Sequence, residues 1–307
     1  MREMHLIHAL SIAPDARDWL TNSRHPSILH VFDRACNLIN ERREVLSIVT
    51  PQIGNGPFNL VIDNDVYFFE RLSLESPVSI SHTQLHLGNL TINTDKAILW
   101  SPRPNWETLH DKKDDILNQL MSLRAFELDL DLSFATSAHG NSIRALTQQL
   151  PPTNYQPSIS NLQSLVSALA NSDFPSSLTA TQKLAGLGIG LTPAGDDFIL
   201  GAVLAAWIIH PLEIASVLAK EITKAAAPLT TSLSAAWLRS VGRGEAGILW
   251  HEFFDTLICT DTVRIQKSVD KILAVGETSG ADALAGFFGT IMCWGEVASS
   301  KLPSFSS

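Results

Sequence analysis

"GLGIGLTPAGDDFILG", Gly186–Gly201, sets five glycines, a Thr-Pro pair and two adjacent aspartates directly before an apolar run. That run, "FILGAVLAAWII" (Phe198–Ile209), is apolar on every face and too short to span a bilayer, so it reads as a core helix. Carboxylates and bare backbone at the mouth of such a helix suit three structures: a phosphate cradle, a metal site, or a strained turn with a well-capped helix. A Walker loop is excluded, because no Gly-Lys-Ser/Thr ending follows the glycines. A dinucleotide fingerprint fits poorly, because the helix-like "SSLTATQKLA" precedes the glycines where a strand is required.

The stretch has an echo. "TPAGDDFILG" (Thr192–Gly201) matches "TSGADALAG" (Thr278–Gly286) with a one-residue gap, and both contain Gly-x-Asp-x-x-x-Gly. The repeated positions are Gly195, Asp197 and Gly201 in the first copy, Gly280, Asp282 and Gly286 in the second. Gly195 and Gly280 would take backbone conformations barred to other residues and let a ligand come close. Asp197 and Asp282 would lie in a first helical turn, where a negative charge is favoured by roughly 0.3–1 kcal/mol. Asp196 is the expected N-cap. Two helix starts of this kind could offer N–H groups to an anion, with Thr192, Thr278 and Ser279 as further donors, or carboxylate oxygens to Mg²⁺. The same residues also suit two capped helices packed tightly through glycines.

Outward from these motifs the chain divides. The first third is β-rich, with short apolar runs separated by Asn, Asp, Gly and Pro, as in a meander or small barrel rather than βαβ units. "PFNLVIDNDVYFF" carries a hairpin signal, and "SILHVFDRACNLI" (Ser27–Ile39) reads as one strand. Strand alternation would then put His30 with Phe32, Arg34 and Cys36 on one face and Asn37 on the other. An amphipathic stripe at Ile116, Leu117, Leu120, Met121 and Leu123 follows, then a loop at Pro151–Ser160. Helices are expected at 162–170, 177–187, 196–209, 212–226, 232–241, 246–258, 262–274 and 281–298. The fold class is therefore α+β: a β-rich N-terminal domain, residues 1–102, and a larger mostly α-helical domain, residues 103–307.

Composition narrows the function. A net charge of −9 with no Lys/Arg stripe argues against nucleic acid as a partner. Three widely spaced cysteines form neither a disulfide framework nor a zinc ribbon, and the N-terminal apolar run is interrupted by His, unlike a secretory signal. A cytoplasmic protein with no membrane partner is expected. Other candidate ligand contacts are Ser232, at the start of a hydroxyl-rich helix, with Arg243 and Glu245 near the same cleft, Arg243 being suited to clamp a carboxylate or phosphate. His30, Asn37 and, beside the tight turn of "GNGPFNL", Asn59 complete the set.

Taken in order, "HVFDRACNL", "GPFNL", "GLGIGLTPAGDDF", "TTSLSAAWL…GRGE" and "GETSGADALAG" resemble a bacterial domain-of-unknown-function family that includes the AllH subunit associated with oxamate carbamoyltransferase. The resemblance runs from about His30 to Gly286, and only Ala194, where a serine is expected, departs from it. It implies a role in allantoin catabolism, within purine degradation and nitrogen metabolism. There oxamate and carbamoyl phosphate give oxalurate and phosphate, and several different subunits assemble. In that setting a small anionic substrate would bind at the paired helix starts, with Asp197 and Asp282 as the catalytic groups. Two alternatives remain open: a Mg²⁺-dependent hydrolase of an ADP-ribose-like or phosphorylated substrate, and a non-catalytic scaffold subunit.

Overall fold

The computed structural model describes residues 5–63, 66–124, 155–259 and 261–300. The chain forms two compact units: Met1–Pro102 with Ala246–Ile248, and Arg103–Glu245 with Leu249–Ser307.

The first unit is a nearly closed β-barrel. Its strands are β1 (His5–Ile12), β2 (Ser27–Val31), β3 (Ala35–Ile39), β4 (Val45–Val49), β5 (Asn59–Ile62), β6 (Val78–Ser81), β7 (Gln84–Leu87), β8 (Leu90–Asn93) and β9 (Ile98–Leu99). They are ordered β2-β3-β4-β5-β1-β8-β7-β6, with β9 beside β1. The topology is not a meander, because β1 runs parallel to β8 and β9, and β4 parallel to β5. A bulge between Ala9 and Ser11 shifts the pairing of β1 with β5 by one residue. Alternation sends Cys36, Leu38, Leu46, Ile48, Leu60 and Ile62 into the barrel core, where they meet Leu85, Leu87 and Ile92.

Three local readings of this unit are corrected. Helix α1 (Pro14–Asn22) was not expected; Pro14 opens it, and it buries Ala16 and Trp19 in the barrel core. Ser27–Ile39 is a hairpin, not one strand: the chain reverses at Phe32–Arg34, and Phe32 N–H donates to Ala35 O at 2.8 Å. His30 consequently lies opposite Asn37 and shares its face. The turn of the hairpin expected after β5, at 64–65, lies outside the described residues, and no strand follows it at 66–69. β5 pairs with β1 and β4, while Phe68–Glu70 forms a 3₁₀ turn that buries Phe68.

The second unit is helical: α2 (Trp106–Asp111), α3 (Lys113–Arg124), α4 (Tyr155–Ala170), α5 (Phe174–Leu184), α6 (Ala194–Ile209), α7 (Leu212–Ala226), α8 (Ser232–Gly242), α9 (Ile248–Cys259), α10 (Thr262–Leu273) and α11 (Ser279–Ser300). Side-chain caps start several of them. Asn105 Oδ1 accepts from Thr108 N–H, Asp173 Oδ1 from Ser176 N–H, and Asp261 Oδ1 from Val263 and Arg264 N–H. The loop expected at Pro151–Ser160 is corrected from Tyr155, which already lies on α4; its earlier part falls outside the described residues, as do the side chains of Met121 and Leu123.

α6 is the centre of this unit. Apolar on all sides, it is buried at every position except Leu200. Around it Trp106, Trp207, Trp250, Phe253, Phe254 and Phe287 form a continuous aromatic cluster. Both inner indoles are satisfied: Trp207 Nε1 donates to Val241 O at 2.9 Å and Trp106 Nε1 to Gly244 O at 2.8 Å.

α6 and α11 cross through glycine. A Cβ at Gly201 would collide with the Ala283 carbonyl, and one at Gly286 would collide with the Phe198 carbonyl. Both obstacles are backbone, which cannot rotate away. Gly201→Ala and Gly286→Ala are each expected to cost about 3 kcal/mol or more, at or above the upper end of ordinary overpacking. Gly295→Ala, whose nearest neighbour is the flexible end of Leu117 at 2.9 Å, should cost less than about 1 kcal/mol. Urea unfolding of the three variants checks the contrast.

Candidate functional site

The two Gly-Asp motifs meet. The collision partners at the α6–α11 crossing are reciprocal: Gly201 faces the residue three before Gly286, and Gly286 faces the residue three before Gly201. The loop ahead of α6 also touches the first residue of α11, with Thr192 Oγ1 and Ser279 Oγ sharing a hydrogen bond at 2.9 Å.

The opening glycines act differently from expectation. Gly195 and Gly280 have ordinary helical backbone; the left-handed glycines nearby are Gly186, Gly188 and Gly190, in the loop before α6. What Gly195 and Gly280 admit is the chain itself. Gly195 is pressed on the Leu184 carbonyl at the end of α5, and Gly280 on the Ile272 carbonyl near the end of α10. Their N–H groups are engaged too, Gly195 with Leu187 O at 2.9 Å and Gly280 with Val275 O at 3.1 Å.

The three aspartates are buried and are satisfied very differently. The N-cap position of α6 is Pro193, so Asp196 is not the cap; it lies in the first turn with its carboxylate turned inward. It accepts from Gly186 N–H and Ser234 Oγ, both at 2.8 Å, and from Thr230 Oγ1. Burial raises its carboxyl pKa, and these three donors oppose the rise. Asp197 is held well above the usual carboxylate range by burial, helped by the nearby Asp282 and Asp196 charges and opposed by the Ser279 and Thr192 hydroxyls. Burial pushes Asp282 up to about 7, against a hydrogen bond from Thr278. Among the described residues, Asp197 Oδ2 and Asp282 Oδ2 have no hydrogen-bond partner.

The other expected ligand residues belong to α8 and its C-terminal end, or to the first unit. Ser232 opens α8 while Arg243 follows its last residue, so the helix separates them by about 16 Å of rise. The guanidinium of Arg243 is held by Glu245 through contacts of 2.6 and 3.1 Å. His30, Asn37 and Asn59 belong to the first unit, where His30, Asn37, Ser47 and Asn59 follow one register across β2, β3, β4 and β5. Ser47 Oγ donates to Asn37 Oδ1 at 2.6 Å, and Asn59 Nδ2 donates to Gly54 O at 3.0 Å. Sequence reasoning passed over Thr230 and Ser234 as partners of Asp196. Their hydroxyls lie in the run before and at the start of α8, but nothing in the spacing ties them to a carboxylate 34 and 38 residues away.

Among the described residues no group of three or more His, Cys, Asp and Glu side chains is placed to hold a metal ion, and no helix is long and apolar enough to cross a membrane. Fold and site together define an α+β protein in which a small barrel precedes a helical unit built on two crossed Gly-Asp helix starts. Family models agree: residues 8–99 match the AllH family N-terminal domain, and residues 184–291 match "oxamate carbamoyltransferase subunit AllH". The chain belongs to the AllH family. No solved structure matches it significantly.

The raised pKa of Asp282 couples folding to pH. Its folded-state value exceeds its unfolded value, so the native state binds the extra proton, and stability is lost as pH rises from about 4 through about 7. Asp197 and Asp196 shift in the same direction. Asp282→Asn should match the parent near pH 4 and exceed it at pH 8, by an amount on the order of 4 kcal/mol at most. Unfolding free energies measured across that range decide the sign.

Proposed function

We propose that this chain is a catalytic subunit of an oxamate carbamoyltransferase and receives carbamoyl phosphate and oxamate at the paired starts of α6 and α11. The observation that carries this reading is the pair of buried carboxyls, each with an oxygen lacking a partner. Oxamate and the carbamoyl group both bear amide N–H donors, which require acceptors in a dry site. The hydroxyls of Thr192, Ser279 and Thr278, which bond to the two carboxyls, would turn from them to meet an anionic end. The N–H groups of Gly195 and Gly280 take no part in this version of the site, since they are engaged within the chain.

The two carboxyls divide the work by their protonation. In this scheme the oxamate amide nitrogen attacks the carbamoyl carbon, the carbon–oxygen bond to phosphate breaks, and phosphate leaves with the bonding pair. The proton released from nitrogen passes to Asp282, whose pKa near 7 suits a base working at neutral pH. Asp197, held protonated by burial, donates to the carbamoyl oxygen as charge develops there. Read in reverse, the same steps phosphorolyse oxalurate.

The test uses the chain assembled with its partner subunits, and the isolated chain for ligand binding. Asp282→Asn is expected to lower kcat by roughly 10²–10⁴-fold. Carbamoyl phosphate or oxalurate at 100 times its dissociation constant should stabilise the isolated chain by about 2.7 kcal/mol, and Asp197→Asn should remove that shift. Full activity of both variants in the assembled enzyme would make the chain a scaffold. A thermal shift that appears only with Mg²⁺ and a nucleotide would make it a metal-dependent hydrolase.

A further inference from the structure

The barrel unit carries a cavity of about 300 Å³ bounded by α1, the β6–β7 turn and the β8–β9 segment. Part of its lining is apolar, from Leu20, Ile80 and Leu99; Arg17, His82 and Asp95 supply charged and titratable groups. Its walls are tied together. Thr94 donates to Thr83 O through both its N–H, at 2.8 Å, and its hydroxyl, at 3.0 Å, which joins the two turns. On α1 the Thr21 hydroxyl donates to Arg17 O at 3.0 Å. His82 holds a left-handed backbone, φ 45°, in the two-residue β6–β7 turn, a conformation that non-glycine residues rarely adopt.

Arg17 and Asp95 face this one cavity yet form no ion pair with each other, and among the described residues neither side chain has a hydrogen-bond or ion-pair partner. Opposite charges that line one cavity without pairing are complementary to a ligand that carries both charges. A simple acid would leave Asp95 unmatched, and a simple amine would leave Arg17 unmatched. The apolar side of the cavity calls for an aliphatic body between the two.

We propose that this cavity binds a free α-amino acid with an aliphatic side chain. Arg17 takes the carboxylate through its paired N–H donors, Asp95 takes the ammonium, and the side chain packs on Leu20, Ile80 and Leu99. The residues of this cavity all belong to the barrel unit, and the aspartate pair is not among them.

Isothermal titration of the full-length chain with L-leucine tests this. Saturable binding is expected, weaker by about tenfold or more for L-leucinamide, which lacks the carboxylate, and for isocaproate, which lacks the ammonium. Arg17→Gln and Asp95→Asn should weaken L-leucine binding to a similar degree, and both positions are exposed, so the variants should melt like the parent. Asp197→Asn should leave the binding unchanged. Absence of saturable L-leucine binding, or binding that both Arg17→Gln and Asp95→Asn leave intact, would overturn the proposal.

Discussion

Backbone-to-backbone contact at Gly201 and Gly286 is the constraint from which the helical unit follows. At that crossing the helices approach with no side chain between them, and each glycine abuts a carbonyl of the other helix. In both helices the aspartate lies four residues before the glycine, one turn away on the same face. A crossing held by the glycines therefore fixes the position of the carboxyls as well. It brings Asp282 close enough to raise the pKa of Asp197 and sets the Thr192 and Ser279 hydroxyls in contact. The motif thus joins the packing of two helices to the placement of two carboxyls, and loosening the first would displace the second.

Burying a carboxylate without a counter-charge costs several kcal/mol, and the chain answers that cost in two ways. Asp196 is surrounded by donors: a loop N–H, Thr230 and the first turn of α8 converge on it. This arrangement locks the glycine loop to α8 and uses up the carboxylate. Burial raises the pKa of Asp197 and Asp282, and each instead retains an oxygen without a partner. Neighbours at 196 and 197 thus differ: the first is fully partnered, and the second keeps an oxygen without a partner.

Much of the fold was legible because its signals are local. The apolar period of Leu212–Ala226 gives α7 residue for residue, and the all-round apolar run after Asp197 marks the central helix. Where local signals were weak, the reading failed. α1 is short and polar on average, and its Trp19 anchor is recognisable only once the residue before β4 supplies the Glu44 carbonyl. The reversal at Phe32–Arg34 uses neither glycine nor proline, so two strands passed for one. In the site, the repeat and its spacing were visible, but the role of its first glycine was not. Close approach by a ligand and close approach by the preceding helix make the same demand for a missing side chain, and only the three-dimensional structure shows the Leu184 and Ile272 carbonyls in that space.

The barrel unit gives an independent measure of how unusual the aspartate pair is. Asn37, Ser47 and Asn59 alternate with core residues and so occupy the face of the sheet away from the barrel interior, yet all three are buried. Their side chains are paired, Ser47 with Asn37 and Asn59 with the Gly54 carbonyl. Among the described residues the polar atoms left over in this unit are His30 Nδ1, Thr50 Oγ1 and Asn89 Oδ1, and burial lowers the His30 pKa, which favours the neutral ring. A neutral imidazole nitrogen or hydroxyl without a partner costs about 1–3 kcal/mol. An ionised carboxylate in the same position costs more, enough to hold on to its proton instead. The unmatched oxygens of α6 and α11 therefore express their burial as raised carboxyl pKa values, while the groups left over in the barrel are neutral.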